Sequence, residues 1–282
     1  MHIDVNGLML AYEEVGNGGR ANKFAAPTER RLGDELPVLF IHGYPLNRRI
    51  WQPQLEGLSG AARALALDLR GHGESQSVPG PYWMDTLADD CAGFLDALGI
   101  TRPVVVCGLS MGGYVAMAFY RQHGLRLAGL ILTATRAGAD SDEGKANRDK
   151  AAQLAREEGP LAIAESMLPK ILSPKTYDRK PELVGSVRKI MESTPVEAIL
   201  GDLIGMRERP DSMLTLEEVQ LPTLILHGAD DQIIPVKEAE AMHRAVSGSQ
   251  IEIIPNAGHL LNMEQPEMFN HAVRKFVEGI EA

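Results

Sequence analysis

Six short apolar runs, most of them separated by helical patterns, constrain this chain more than any other feature. The runs are Pro37 to Ile41, Ala62 to Leu67, Pro103 to Cys107, Leu127 to Leu132, Pro222 to Leu226 and Gln250 to Ile254. They lack the period-2 alternation of a half-exposed strand, so each suits a strand buried on both faces. Helix-period patterns cover 84–98, 111–123, 236–246 and 266–280. Strand–helix alternation predicts a parallel sheet with helices on both faces. Ahead of it, Ile3 to Val5 and Leu8 to Val15 flank Asn6-Gly7, a strong signal for a two-residue hairpin turn. The expected fold is therefore α/β, with a mostly parallel eight-stranded sheet.

One stretch interrupts the alternation. Residues from about Arg136 to Glu218 contain no strand-like run and read as several short amphipathic helices. Gly159-Pro160, Ser173-Pro174, Lys180-Pro181, Thr194-Pro195 and Arg209-Pro210 punctuate them. This predicts a helical cap, 136–218, inserted between core segments 1–135 and 219–282. Residues Gly16 to Glu35 are polar and rich in Gly and charge, and are expected to form a long surface loop.

Composition narrows the function classes. Apolar residues make up 44% and aromatics only 5%, so an aliphatic core is expected. A net charge of −10 argues against nucleic acid, which needs clustered Lys and Arg. No apolar stretch reaches the ~18 residues a membrane span requires. The N-terminus lacks the basic and apolar regions of a secretory signal. Cys91 and Cys107 sit in apolar patterns, and free buried thiols in a cytoplasmic protein are expected.

The motif that carries chemistry is Gly108-Leu109-Ser110-Met111-Gly112, a G-x-S-x-G between an expected strand and an expected helix. A nucleophilic serine must stand on a sharp, strained turn. Side chains two residues before and after it would collide, which explains Gly108 and Gly112. The helix starting at Met111 aims its free N–H groups at the reacting centre.

A serine needs a base, usually a histidine oriented by a carboxylate. Of eight histidines, His259 falls in the loop between the last strand and the last helix, at the carboxyl edge of the sheet where ligands bind. The acid is expected after the next-to-last strand, where Asp230 and Asp231 stand side by side, and either could reach His259. Asp202, Asp211 and the acids around Asp140 fall in the cap instead. Oxyanion donors are expected from the backbone N–H of Met111 and that of Tyr44, where Gly43 permits a tight bend. His42 is expected to brace that loop. No H-E-x-x-H, C-x-x-C or P-loop occurs, so neither metal nor cofactor is expected. Gly16 to Ala21 fits a loose G-x-G-x-x-A, but no helix follows it and Pro27 interrupts.

Together, His42-Gly43-Tyr44-Pro45, Asp68-Leu69-Arg70-Gly71-His72-Gly73-Glu74-Ser75, the Ser110 motif, Gly228-Ala229-Asp230-Asp231 with Pro235, and Gly258-His259 resemble the α/β-hydrolase superfamily. The stretch from His42 to Trp51 resembles the carboxylesterase, cofactor-free haloperoxidase and 3-oxoadipate enol-lactonase group. The resemblance implies a triad acid three residues after the glycine and four before the proline, hence Asp231. Asp230 is then left to cap the turn. It also implies that Asp68 to Ser75 is structural, with Arg70, Gly71 and Gly73 shaping a turn beneath the site. The long 16–35 loop departs from the family, where a tight turn is usual. Ser110 stands where epoxide hydrolases and haloalkane dehalogenases carry Asp.

The expected function is hydrolysis of small to medium carboxylic esters through an acyl-enzyme. A lactonase, a C–C bond hydrolase, perhydrolase side activity or a silent binding protein are the alternatives. The expected partner is a small ester or lactone, and the chain a monomer or homo-oligomer. The base must be neutral to act, so activity is expected to rise with pH. Cap residues Met167, Leu168, Ile171, Leu172 and Met191 are expected to line an acyl pocket or to form the cap core.

Overall fold

A computed structural model describes residues 1–16, 36–60 and 62–281. The polar loop and the loose glycine pattern read from Gly16 onward fall almost wholly on residues outside this description. The hairpin forms as β1 (His2–Val5) and β2 (Leu8–Val15), turning at Asn6 and Gly7, both at positive φ. The apolar runs become β3 (Pro37–Ile41), β4 (Arg63–Leu67), β5 (Val104–Leu109), β6 (Leu127–Thr133), β7 (Thr223–Gly228) and β8 (Gln250–Ile254). The eight strands order as β1-β2-β4-β3-β5-β6-β7-β8. Among the described residues, only the β1–β2 and β2–β4 pairings are antiparallel.

Strand residues alternate between two buried clusters, one on each sheet face. Leu39, Ile41, Val104 and Val106 face α2 (Met84–Ala97) and α3 (Met111–His123). Val38, Phe40, Val105 and Cys107 face α1 (Gln52–Gly57) and the last helix, Pro266–Glu281. The sheet is thus apolar on both faces because both are covered. The short α1 has no sequence signal, because a helical period cannot show over 6 residues.

Between β6 and β7 the described chain is helical: α4 (Asp142–Ile171), α5 (Pro174–Arg179), α6 (Pro181–Glu192), α7 (Val196–Arg207) and α8 (Met213–Glu217). The expectation of short helices needs one correction. α4 continues through Pro169, and its one break is at Gly159, where φ is 80°. Gly159 supplies the left-handed turn and Pro160, lacking an N–H, starts the next helical run without loss. No helix of the described residues is long and apolar enough to cross a membrane.

Register sets the stage for the site. Ile41 pairs with Gly108, Gly108 with Leu132, and Gly228 with Ile254. The carboxyl ends of β3, β5, β7 and β8 therefore open onto one edge, and the loops that follow them meet there.

Candidate active site

Ser110 follows β5 and adopts φ 55°, ψ −113°, a conformation that costs a non-glycine residue about 1–3 kcal/mol. The surroundings over-determine it. Ser110 N–H donates to Thr133 O at 2.9 Å, and Ser110 O accepts from Gly113 N–H at 2.9 Å and Thr135 Oγ1 at 2.8 Å. The flanking glycines are required by contact. A Cβ on Gly108 would lie 2.1 Å from Gly112 O, and one on Gly112 would lie 2.3 Å from Ile41 O. Met111 opens α3, so its N–H has no partner within the helix.

The loop after β3 runs against this turn. A Cβ on Gly43 would lie 3.0 Å from both Leu109 O and Ser110 Cβ. His42 sits behind the loop, fully buried: Nδ1–H donates to Gly43 O at 2.9 Å and Nε2 accepts from Leu69 N–H at 3.1 Å. Burial, then the neighbouring His72, pushes its pKa well down, so the ring is a neutral brace. The segment from Asp68 is also structural. The buried Asp68 carboxylate accepts from the Arg48 and Glu74 N–H groups and pairs with the Arg48 guanidinium, and Arg70 grips Asp90 with two bonds of 2.5 and 2.6 Å.

Asp231 and His259 are brought together by close backbone contact. A Cβ on Gly228 would lie 2.0 Å from Gly258 O, so the β7 and β8 exits run side by side. His259 Nδ1–H donates to Asp231 Oδ2 at 2.8 Å, and the Asp231 side chain is fully buried. Asp231 Oδ1 accepts from Ile233 and Ile234 N–H at 2.8 and 3.0 Å. Burial pushes the Asp231 carboxyl up, but the His259 ring, the Ile234 N–H and His227 outweigh it and hold it below the usual range. This corrects the expectation for Asp230. The turn is capped by Asp231 itself, and among the described residues no hydrogen bond reaches the Asp230 side chain; its backbone N–H goes to Ala257 O at 2.9 Å.

Ser110, His259 and Tyr44 line one cavity of about 380 Å³. Among the described residues no hydrogen bond joins Ser110 to His259; such bonds often tighten only with substrate bound. The cavity roof comes from α4 and α7. Of the five apolar cap residues named from sequence, only Met167 lines it. Leu168, Ile171, Leu172 and Met191 are buried instead in the apolar cluster that also holds Val38 and Phe40. Ala151, Ile163, Leu203 and Met206 take the lining role.

Several residues of the site gave no sequence signal. Glu264 is buried and accepts from Gly258 N–H at 2.7 Å and Ser173 N–H at 2.9 Å, tying the His259 loop to the turn between α4 and α5. Arg136, Arg148 and Lys170 line the cavity beside a single carboxylate, Asp140. Asp140 is held by Arg136, Arg148 and Arg209 at 2.5, 3.0 and 2.8 Å. Both cysteines are buried free thiols, and burial pushes Cys107 up to about 12, away from nucleophile chemistry.

The sequence model described as the alpha/beta hydrolase family matches residues 38–272. An esterase from Thermogutta terrifontis, solved with malate bound, superposes with a TM-score of 0.90 at 43% identity, over 100% of this chain and 99% of that one. An enol-lactonase from Burkholderia xenovorans superposes with a TM-score of 0.87 at 27% identity, over 99% and 100%. In sequence, 3-oxoadipate enol-lactonase 2 of Acinetobacter baylyi is 29% identical over 85% of this chain and 88% of that protein.

Proposed function

The chain belongs to the alpha/beta hydrolase family, and from that premise we propose that it cleaves carboxylic esters through an acyl-enzyme on Ser110. The observation that carries this reading is the 2.8 Å bond from His259 Nδ1–H to Asp231, which leaves Nε2 free on the cavity that Ser110 lines. His259 Nε2 takes the Ser110 proton as Oγ attacks the ester carbonyl. The Tyr44 and Met111 N–H groups hold the oxyanion. His259 then gives the proton to the departing alcohol. Water, losing a proton to His259, hydrolyses the acyl-enzyme and releases Ser110. Residues 136–218 act as a cap that sets substrate range and leaves the chemistry to the core. A series of esters with graded acyl length tests this: turnover on short esters supports it, and no turnover on any ester, lactone or thioester overturns it.

A second reading is favoured by one observation. Arg136, Arg148 and Lys170 on the cavity wall outnumber Asp140, which suits a substrate carrying a carboxylate. Relatives include enol-lactonases, and ring opening of a lactone uses the same acyl-enzyme steps with the leaving oxygen tethered. Comparing a neutral lactone with one bearing a carboxylate separates the two: a preference for the anion supports the lactone reading.

A further inference from the structure

We propose that Asp202, in the cap, is a positioning residue for the loop that carries Tyr44, acting through a proton that it shares with His72. Its kinetic consequence rests on the function proposed above; the shared proton does not.

His72 makes its hydrogen bond through Nδ1. Its ring is fully buried in the turn after β4, and Nδ1 lies 3.0 Å from Arg70 O. A carbonyl oxygen only accepts, so the proton is on Nδ1. Nε2 faces Asp202 Oδ2 of α7 at 2.9 Å. A neutral ring would then present a lone pair to a carboxylate. Asp202 is also fully buried, and neither of its oxygens has hydrogen-bond geometry with any donor among the described residues. An anion so placed is tolerated only beside a positive charge. The pair therefore holds one proton more than neutral His and ionised Asp would.

The surroundings agree. The groups facing His72 are Asp202, Asp68, the His42 ring at 4.9 Å and the Tyr82 ring at 6.5 Å. Those facing Asp202 are His72, Arg148 of α4 and the buried Tyr44 hydroxyl, which has no hydrogen-bond partner among the described residues. Burial opposes charge on His72, but Asp202 outweighs it and holds the imidazolium to a pH above the ordinary histidine range. Burial likewise raises Asp202.

The pair joins the cap to the oxyanion loop. α7 rests directly on the core: a Cβ on Gly71 would lie 2.9 Å from Ala198 Cβ, and Gly201 O accepts from Tyr82 N–H at 3.0 Å. Beneath Asp202, the His72 ring packs on His42, whose Nδ1–H holds the Gly43 carbonyl, and Tyr44 is the next residue. Just before α7, Thr194 Oγ1 donates to Pro45 O at 2.9 Å on the far side of Tyr44. In the unfolded chain His72 releases its proton above about pH 6.5. The folded pair keeps it longer, so its stabilisation is full below that pH and is lost as pH rises through the folded value. When the proton leaves, Asp202 is an unpaired buried anion, and the support of the Tyr44 loop loosens.

Two variants and one titration test this. An Asn amide at 202 can donate to the Nε2 lone pair of neutral His72, so Asp202→Asn keeps the contact without the shared proton, whereas Asp202→Ala removes both. Nitrogen-15 NMR of the full chain is expected to show His72 still protonated above about pH 6.5, the ordinary histidine value. The Gly43 and Tyr44 amide resonances should move with the His72 titration in the wild type and lose that step in Asp202→Asn. On a short ester, Asp202→Ala should lower kcat about tenfold with KM little changed, as a partly misplaced oxyanion donor would. Asp202→Asn should restore kcat near neutral pH and lack the alkaline fall of the wild type. The proposal is overturned if His72 loses its proton at or below the ordinary histidine value, if the Gly43 and Tyr44 amides ignore its titration, or if Asp202→Asn keeps the wild-type alkaline limb. If esters are not substrates, the proposed function fails, and the NMR arms still decide this one.

Discussion

Asp231 and His259 meet at 2.8 Å with the second Asp231 oxygen already committed to the N–H groups of Ile233 and Ile234. The carboxylate cannot rotate away without breaking its own turn, so the His259 ring is held with its proton on Nδ1. Asp231→Asn can keep the turn through its amide oxygen but offers an N–H where His259 needs an acceptor. Turnover should fall roughly two to four orders of magnitude. Asp230→Asn should stay within about tenfold of wild type, since among the described residues no hydrogen bond reaches that side chain. Kinetics of both variants on one ester check this, and the reverse ranking would move the acid to Asp230.

The same pair predicts an acid-side effect on stability. The His259 ring, the Ile234 N–H and His227 together hold the Asp231 carboxyl below the usual range against its burial. A depressed carboxyl stabilises the fold above its unfolded value, near pH 4, and that contribution is lost as pH falls through the folded value. The stability gap between wild type and Asp231→Asn should therefore narrow as the pH drops below about 4. Denaturant melts at several pH values measure it; a gap independent of pH would contradict the account.

Gly112 lies where α3 meets the end of β3. An alanine there would place its Cβ 2.3 Å from Ile41 O and 2.7 Å from His42 O, both backbone atoms that cannot step aside. Gly112→Ala should cost about 1–3 kcal/mol or more and shift the Tyr44 loop. A thermal melt lowered together with activity is the expected outcome, and an unchanged melt would refute the close approach.

Met167 and Leu168 are neighbours with different surroundings: Met167 lines the cavity, whereas Leu168 is 1% exposed in the apolar core. Met167→Ala should shift acyl-length preference with little loss of stability. Leu168→Ala should cost about 2–5 kcal/mol and leave the preference unchanged. Ester series and melts on the two variants separate pocket from core.

The strands and the elbow were legible because their causes are local. Unbroken apolar runs mark buried strands, and the need to avoid collision explains Gly108 and Gly112. Met111 to His123 reads as a helix and is one. Position in chain order singled out His259. The rest depends on contacts between distant segments, which leave no period behind. Glu264 binds Ser173 across the fold, and Asp202 meets His72 from another element; both look like ordinary acids in sequence. Asp230 and Asp231 could not be separated by their residue type either, because the geometry of one turn decides which carboxylate turns inward.

The central claim is that Ser110 is the nucleophile activated by His259. Reaction of the intact protein with a fluorophosphonate, followed by mass mapping of the adduct, tests it most directly. One adduct per chain on Ser110, abolished in Ser110→Ala and strongly slowed in His259→Ala, is the expected result. A folded wild type that stays unlabelled, or an adduct that persists in Ser110→Ala, would contradict it.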